Sequence, residues 1–341
     1  MDEQKAAFGE IRRRLFCVEL RSIFTFKKNQ VRMYAGYSRH ENRRKGYIQE
    51  DLQLEQVVVP DYLYHYTNVD KLAMILNEKK FRFSNLRYLD DIEEGRTGDK
   101  QQYTKYCFVS SWTDEKDESI PMWKMYSEKM DGVRIRLPSN LFPNYDITAG
   151  SILAQFLQAG LVAPQNVKNK NGAENLVIAK SPVPSHEYFN EKYNFLPSFQ
   201  GIELVKIDYS KEDDIVNPQL ASVSDGQITV LLGKLGKVKR EYWKFQKEWR
   251  YVFRVFPGSY VDLAGDFSGK KFAIINNYCP ELPDSVKTAF FLKCDDKKIM
   301  DIEVTLGPKM NKGQRDIVRL LLDEYCPTAK MRKSDLSDKV R

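Results

Sequence analysis

The chain has 341 residues, 42% of them hydrophobic and 12% aromatic, with a formal charge of +7 and a pI of about 8.9. That apolar content excludes a wholly disordered chain and suits one large domain with extensions, or two ordinary ones. The basic excess fits either a phosphate-bearing partner or a solvated basic surface.

No apolar run approaches the roughly 20 residues that span a bilayer. The start, MDEQKAAFGEIRRRLF, is acidic and lacks an apolar signal core. A cytoplasmic protein without a membrane partner is therefore expected. The five cysteines (Cys17, Cys107, Cys279, Cys294, Cys326) are odd in number and contain no CxxC pair, which fits reduced thiols. The histidines are His40, His65 and His186, and no Cys/His cluster forms, so no metal site is expected.

Residues 4–25 carry Ala7, Phe8, Ile11, Leu15, Val18 and Ile23 at helical spacing. Between Lys27 and Lys45 stand seven Lys/Arg against Glu41, interleaved with Tyr34, Tyr37 and His40. Such a segment is either a solvated arm or a phosphate- and base-binding one. Residues 1–55 are read as an N-terminal extension, 56–326 as the main domain and 327–341 as a mobile basic tail.

From Tyr62 the pattern sharpens. YLYHYT reads as a strand, and VDKLAMILNEKK as a helix with the stripe Val69, Leu72, Ile75 and Leu76, capped by Asn68 or Thr67. FRFSNL and YCFVSSWT are strands, PMWKMYSEKM a helix opened by proline, and DGVRIRL a strand. A helix is expected around Ser151 to Leu161. GIELVKIDYS reads as a strand and VSDGQITVLLGKLGKVK as a glycine-broken helix. WKFQKEWRYVFRVF, KKFAIIN and DIEVTLGPKM are strands, and GQRDIVRLLLDEY an amphipathic helix. Interspersed elements without regular βαβ alternation favour an α+β fold with a mixed or antiparallel sheet and flanking helices.

The longest strand carries the candidate chemistry. Alternation sends Trp243, Phe245, Trp249, Tyr251, Phe253 and Val255 to one face, read as core. Lys244, Gln246, Glu248, Arg250 and Arg254 go to the other, which is either a solvated sheet surface or an active site. His65 among aromatics, the hydroxyls Ser110, Ser111 and Thr113 at a strand end, and Trp123 with Tyr126 on one helical face each also have an ordinary structural reading.

In order and combination, YHYTNVDKLAMILNEKKFRFSNLRYLDDIEEG, YCFVSSW, PMWKMYSEKMDGVRIRL, YWKFQKEWRYVF and EVTLGPKM resemble the bacterial DUF2971 family, over roughly Tyr62 to Met310. That family is remotely similar to the ADP-ribosyltransferase superfamily. The resemblance implies a split antiparallel β-core holding NAD, with an early His, a middle Ser/Thr and a late catalytic Glu. On this chain these are His65, Ser110 or Ser111, and Glu248. It further implies Gln246 as selector of the nucleophile and Tyr66 or Tyr126 stacked on nicotinamide. Arg82, Arg87 or Arg250 would hold the pyrophosphate.

The implied activity is NAD cleavage at the nicotinamide–ribose bond, by transfer to nucleic acid (RNA or DNA) or protein, or by hydrolysis. Two rivals stand beside it. One is a non-catalytic nucleic-acid-binding module using Lys27 to Lys45. The other is a metal-dependent nuclease whose ligands would be Asp90, Asp91, Glu93 and Glu94. Oligomeric state is left open.

Overall fold

The computed structural model describes residues 23–27, 30–34, 58–99, 103–127, 129–148, 165–168, 174–181, 183–184, 187, 193–195, 202–224, 227–257 and 287–340. The strands that build the site are β1 (Tyr62–Thr67), β2 (Lys80–Asn85), β3 (Cys107–Thr113), β4 (Val133–Pro138), β5 (Tyr193–Phe195) and β6 (Glu203–Lys206). They continue with β7 (Asp208–Ser210), β8 (Val238–Arg240), β9 (Glu248–Pro257), β10 (Ala289–Lys293), β11 (Glu303–Leu306) and β12 (Lys330–Arg332). All but β7 and β8 form one sheet, in the order β5-β9-β3-β1-β4-β11-β12, with β6 on β9 and β10-β2 on β3.

The pairing is antiparallel except for β11 with β12, while β7 and β8 make a separate parallel pair. The architecture is α+β with a largely antiparallel open sheet. One edge of β3 is forked. Its first half pairs with β2 (Ser84↔Val109, Asn85↔Phe108), whereas its end meets β1 at Tyr64↔Thr113.

The two faces of the sheet differ in chemistry. On one, Leu63, Phe108, Trp112, Ile135, Leu137, Trp249, Tyr251 and Phe253 form the main core. Helices α1 (Val69–Glu78) and α3 (Lys312–Tyr325) cover it, inserting Leu72, Ile75 and Leu76, and Val318 and Leu322. Burying each such side chain contributes about 1.5–3 kcal/mol. Asn68 caps α1 through Lys71 N, 2.9 Å away, and Asn311 with Gln314 closes a capping box on α3. On the opposite face, Val109 and Val252 join a smaller cluster with Leu220, Leu232 and Leu235. Farther along that face, helix α2 (Ile120–Tyr126) packs Met122 and Trp123 on Tyr66 and Met130.

Four expectations are corrected. The stretch Trp243–Phe253 is not one strand, because Glu241–Gln246 is a 3-10 turn and Lys247 takes φ 42° before β9 begins. Tyr242 and Phe245 are accordingly exposed, and only the aromatics from Trp249 onward are core. The glycine-broken helix expected within 223–239 is replaced by strands Ala221–Ser224 and Gln227–Leu231, a turn and β8; the β-branched run Ile228, Thr229 and Val230 favours a pleated sheet. GIELVKIDYS is two strands, divided at buried Ile207. The tail is structured, with β12 paired to β11 and Leu336 and Val340 packed beside Trp123.

Of the N-terminal extension, Ile23–Lys27 and Gln30–Tyr34 are strands of a four-stranded sheet with Ala221–Ser224 and Gln227–Leu231. Most of the expected helix over 4–25, the rest of the basic segment, the expected helix at 151–161 and the expected strand KKFAIIN lie outside the described residues. No helix among the described residues is long and apolar enough to cross a membrane.

Candidate active site

The register fixes which side chains share a face. Pairs Glu248↔Thr113, Arg250↔Ser111 and Arg254↔Cys107 lie on the polar face, while Trp249↔Trp112, Tyr251↔Ser110 and Phe253↔Phe108 lie on the core face. Glu248, the first residue of β9, is 4% exposed, and Arg250 is 1% exposed. The polar face at β9 is therefore neither solvated nor a cross-strand ornament. It is a buried ionic cluster.

Arg250 Nε donates to Glu248 Oε1 at 2.6 Å, and Arg250 Nη2 to both oxygens of Glu94 at 2.8 and 2.9 Å. Lys239 Nζ donates to Glu248 Oε2 at 3.0 Å and to Gln246 Oε1 at 2.8 Å, and stands 3.6 Å from Glu94. Gln246 Nε2 donates in turn to the Tyr126 hydroxyl at 2.9 Å. The Ser111 hydroxyl bonds the Glu248 carboxylate, and the Glu248 amide donates to the Tyr209 hydroxyl at 2.9 Å. Two carboxylates and two cations thus balance in charge, and each charge has a hydrogen-bonded partner, as burial requires.

The two carboxylates titrate differently. Burial pushes Glu248 up, but Arg250, Lys239 and the Ser111 hydroxyl together outweigh it and hold its pKa at about 2. At Glu94 burial prevails over Arg250 and Lys239, and its pKa is raised. Glu248 is consequently ionised throughout the physiological range.

Gln246 and Glu248 converge on Lys239 by a route that strand alternation does not describe. Gln246 ends the 3-10 turn, the left-handed Lys247 reverses the backbone, and both side chains turn inward. Beside them, β8 alternates Lys239 into the cluster and Arg240 outward, and the acidic loop does likewise with Glu94 and Glu93. Arg240 and Glu93 meet at 2.5 Å in the wall of an open cleft of about 560 Å³, lined also by Ser210, Lys211, Asp213 and Tyr242.

The other expected residues scatter. Ser110 faces the core and accepts from Trp112 Nε1 at 3.1 Å. His65 also faces the core side, against Phe81 and Trp112, its Nδ1 2.9 Å from the Ser111 carbonyl oxygen. Its ring therefore lies across the sheet from the Glu248 carboxylate, because residues 63 and 65 share a face and residue 65 cannot join 64 and 66. Tyr66 is on the Glu248 side, but it is 4% exposed and packs edge-on to Trp123 at 4.9 Å. Arg82 is exposed on β2, opposite Phe291.

The acidic loop does not gather its carboxylates. Asp91 caps Glu93 N at 3.0 Å, Glu93 binds Arg240, Glu94 binds Arg250, and Asp90 is exposed. Lys239, Glu94 and Tyr209 carry the cluster without having been singled out for it; nothing distinguishes Lys239 within GKLGKVKR except the fold. Comparison with protein-family models, curated proteins and solved structures finds no match, so the site rests on its geometry.

Proposed function

We propose that the cluster around Glu248 cleaves the nicotinamide–ribose bond of NAD, passing ADP-ribose to an acceptor or to water. The observation that supports this reading is a carboxylate held ionised at the first residue of β9, braced by the Ser111 hydroxyl of the neighbouring strand and joined through Lys239 to Gln246 of the preceding turn. That is the Ser–Gln–Glu grouping which the resemblance to ADP-ribosyltransferases implies, with His65 excluded from it.

The chemistry asks for such a group. As the C–N bond breaks, its electron pair leaves with the nicotinamide nitrogen and positive charge builds on the ribose. A fixed anion stabilises that charge more in the transition state than in the ground state. With a pKa near 2, Glu248 is an electrostatic stabiliser and a hydrogen-bond acceptor for a ribose hydroxyl. It is a poor base, so the proton of the incoming nucleophile goes to solvent. Half-buried Tyr126, tied to Gln246, is an aromatic ring beside the cluster that a nicotinamide could meet. Entry of a ribose requires Lys239 or Tyr126 to yield its present contact.

A second reading has its own observation: all four charges are paired and nearly sealed, as in a structural ionic knot. The purified protein incubated with NAD, alone and with RNA, DNA or protein, separates the two. Nicotinamide release that is lost in Glu248→Gln and reduced in Gln246→Ala, both checked for folding, is the expected result. No release and no NAD binding by the wild-type protein with any additive leaves the knot.

A further inference from the structure

We propose a second site, for the phosphate of a nucleotide, at Arg134 and Arg136 on the polar face of β4. The buried arginines of the β9 region have carboxylate partners: Arg250 binds Glu248 and Glu94, and Arg254 binds Glu203 at 2.8 Å. Arg134 is 8% exposed and forms no ion pair with a carboxylate among the described residues. Its Nη1 donates to the Lys116 carbonyl at 2.9 Å, and it bonds the Tyr66 hydroxyl. Its Nε is buried with no acceptor. Glu118, the carboxylate beside Tyr66, is already committed to Trp123 Nε1, the Ser334 hydroxyl and Asp335 N.

Two residues on, Arg136 repeats the pattern. Its Nε is also buried without an acceptor, and its one carboxylate partner among the described residues, Glu303 at 3.3 Å, is shared with Arg332. Two guanidinium groups, from β4 and β12, therefore share the one carboxylate of β11, and Arg134 stands beside them without one among the described residues. Tyrosines alternate with them: Arg134 lies 4.6 Å from the Tyr64 ring centroid, and Arg136 4.1 Å from that of Tyr62. These rings offset part of the burial of the charge but offer no acceptor to Nε.

The unfilled atom identifies the ligand. The Nε/Nη edge of a guanidinium is the fork that grips a phosphate with two parallel hydrogen bonds. A buried donor left without an acceptor is destabilising, so the free protein carries a cost that an anion removes. Excess positive charge favours phosphate over a single carboxylate, and the half-buried Tyr62 and Tyr64 favour a phosphate carried by a nucleotide. The residues 114–119, which supply the Lys116 carbonyl, must shift to admit it.

The test measures the thermal midpoint and fluorescence binding at low salt with pyrophosphate, ADP or a single-stranded oligonucleotide. The wild-type protein is expected to bind at least one, and Arg134→Met to weaken that binding at least tenfold while leaving the unliganded midpoint unchanged or higher. A response to ADP but not to the oligonucleotide names a free nucleotide; the reverse names a polynucleotide. Should Arg134→Met not fold, Arg136→Gln decides, with at least a fivefold loss expected. Absence of binding to all three probes overturns the proposal, as does binding unchanged in the variants. Nicotinamide release is not read in any arm, so failure of NAD cleavage at Glu248 leaves the result standing.

Discussion

His65 shows how one face of a strand decides a residue's chemistry. Its ring is enclosed by Phe81 and Trp112, and burial, with Lys71 in support, lowers its pKa to about 4 against the pull of the Ser111 carbonyl. The folded state thus keeps the imidazole neutral, its proton on Nδ1 facing that carbonyl. An unfolded histidine titrates near 6.5. The folded protein therefore holds the full contribution above pH 6.5 and loses it as pH falls from 6.5 towards 4. Urea midpoints measured between pH 7 and 5 should fall, and His65→Phe should flatten that slope, with the difference approaching about 2 kcal/mol at pH 5. Glu248 acts in a lower window: its depressed pKa contributes stability above about 4.5 that drains away towards 2. An unchanged slope in His65→Phe would mean that the ring is not sealed.

At the scale of elements, the sequence was legible wherever local pattern and fold agree. The stripe of α1, its cap at Asn68 or Thr67, the amphipathic run of α3 and the alternation of β4 could all be read directly, because each depends on neighbours within a few residues. The turn before β9 could not. Trp, Phe and Lys at alternating places imitate a strand, and what breaks it is one backbone angle at Lys247, a residue type that does not announce a left-handed conformation. The same angle brings Gln246 to the cluster, so its place was foreseen for the wrong reason. Of the partners from distant elements, Lys239 had no local signal at all, and Glu94 stood out only as one of four loop carboxylates. Since φ 42° suits glycine better than lysine, Lys247→Gly is expected to cost nothing or to stabilise slightly, even though it removes the exposed ion pair with Glu115. Lys247→Val, β-branched, is expected to destabilise by about 1–2 kcal/mol in chemical denaturation. Equal stability of the two variants would place the break elsewhere.

Over the whole molecule, the sheet serves two interiors at once, and the C-terminal segment ties off the second. Its strand β12 extends the sheet beyond β11 by the pairs Glu303↔Lys330 to Thr305↔Arg332. Beyond it, the Ser334 hydroxyl and Asp335 N bind Glu118, which holds Trp123 Nε1 at 2.9 Å and so steadies α2 on Tyr66. Helix α2 carries Tyr126, the partner of Gln246. A chain of contacts therefore runs from the basic tail to the Glu248 cluster, although composition alone makes that tail look dispensable. Truncation after Cys326 removes a sheet edge, the Arg332–Glu303 pair and the packing of Leu336 and Val340. The expected loss is a few kcal/mol, about the scale of two buried apolar side chains. Quenching of Trp123 fluorescence by acrylamide should rise with it, since its indole loses its cover. A truncated protein with an unchanged thermal midpoint and unchanged quenching would show that the tail contributes neither cover nor support to α2.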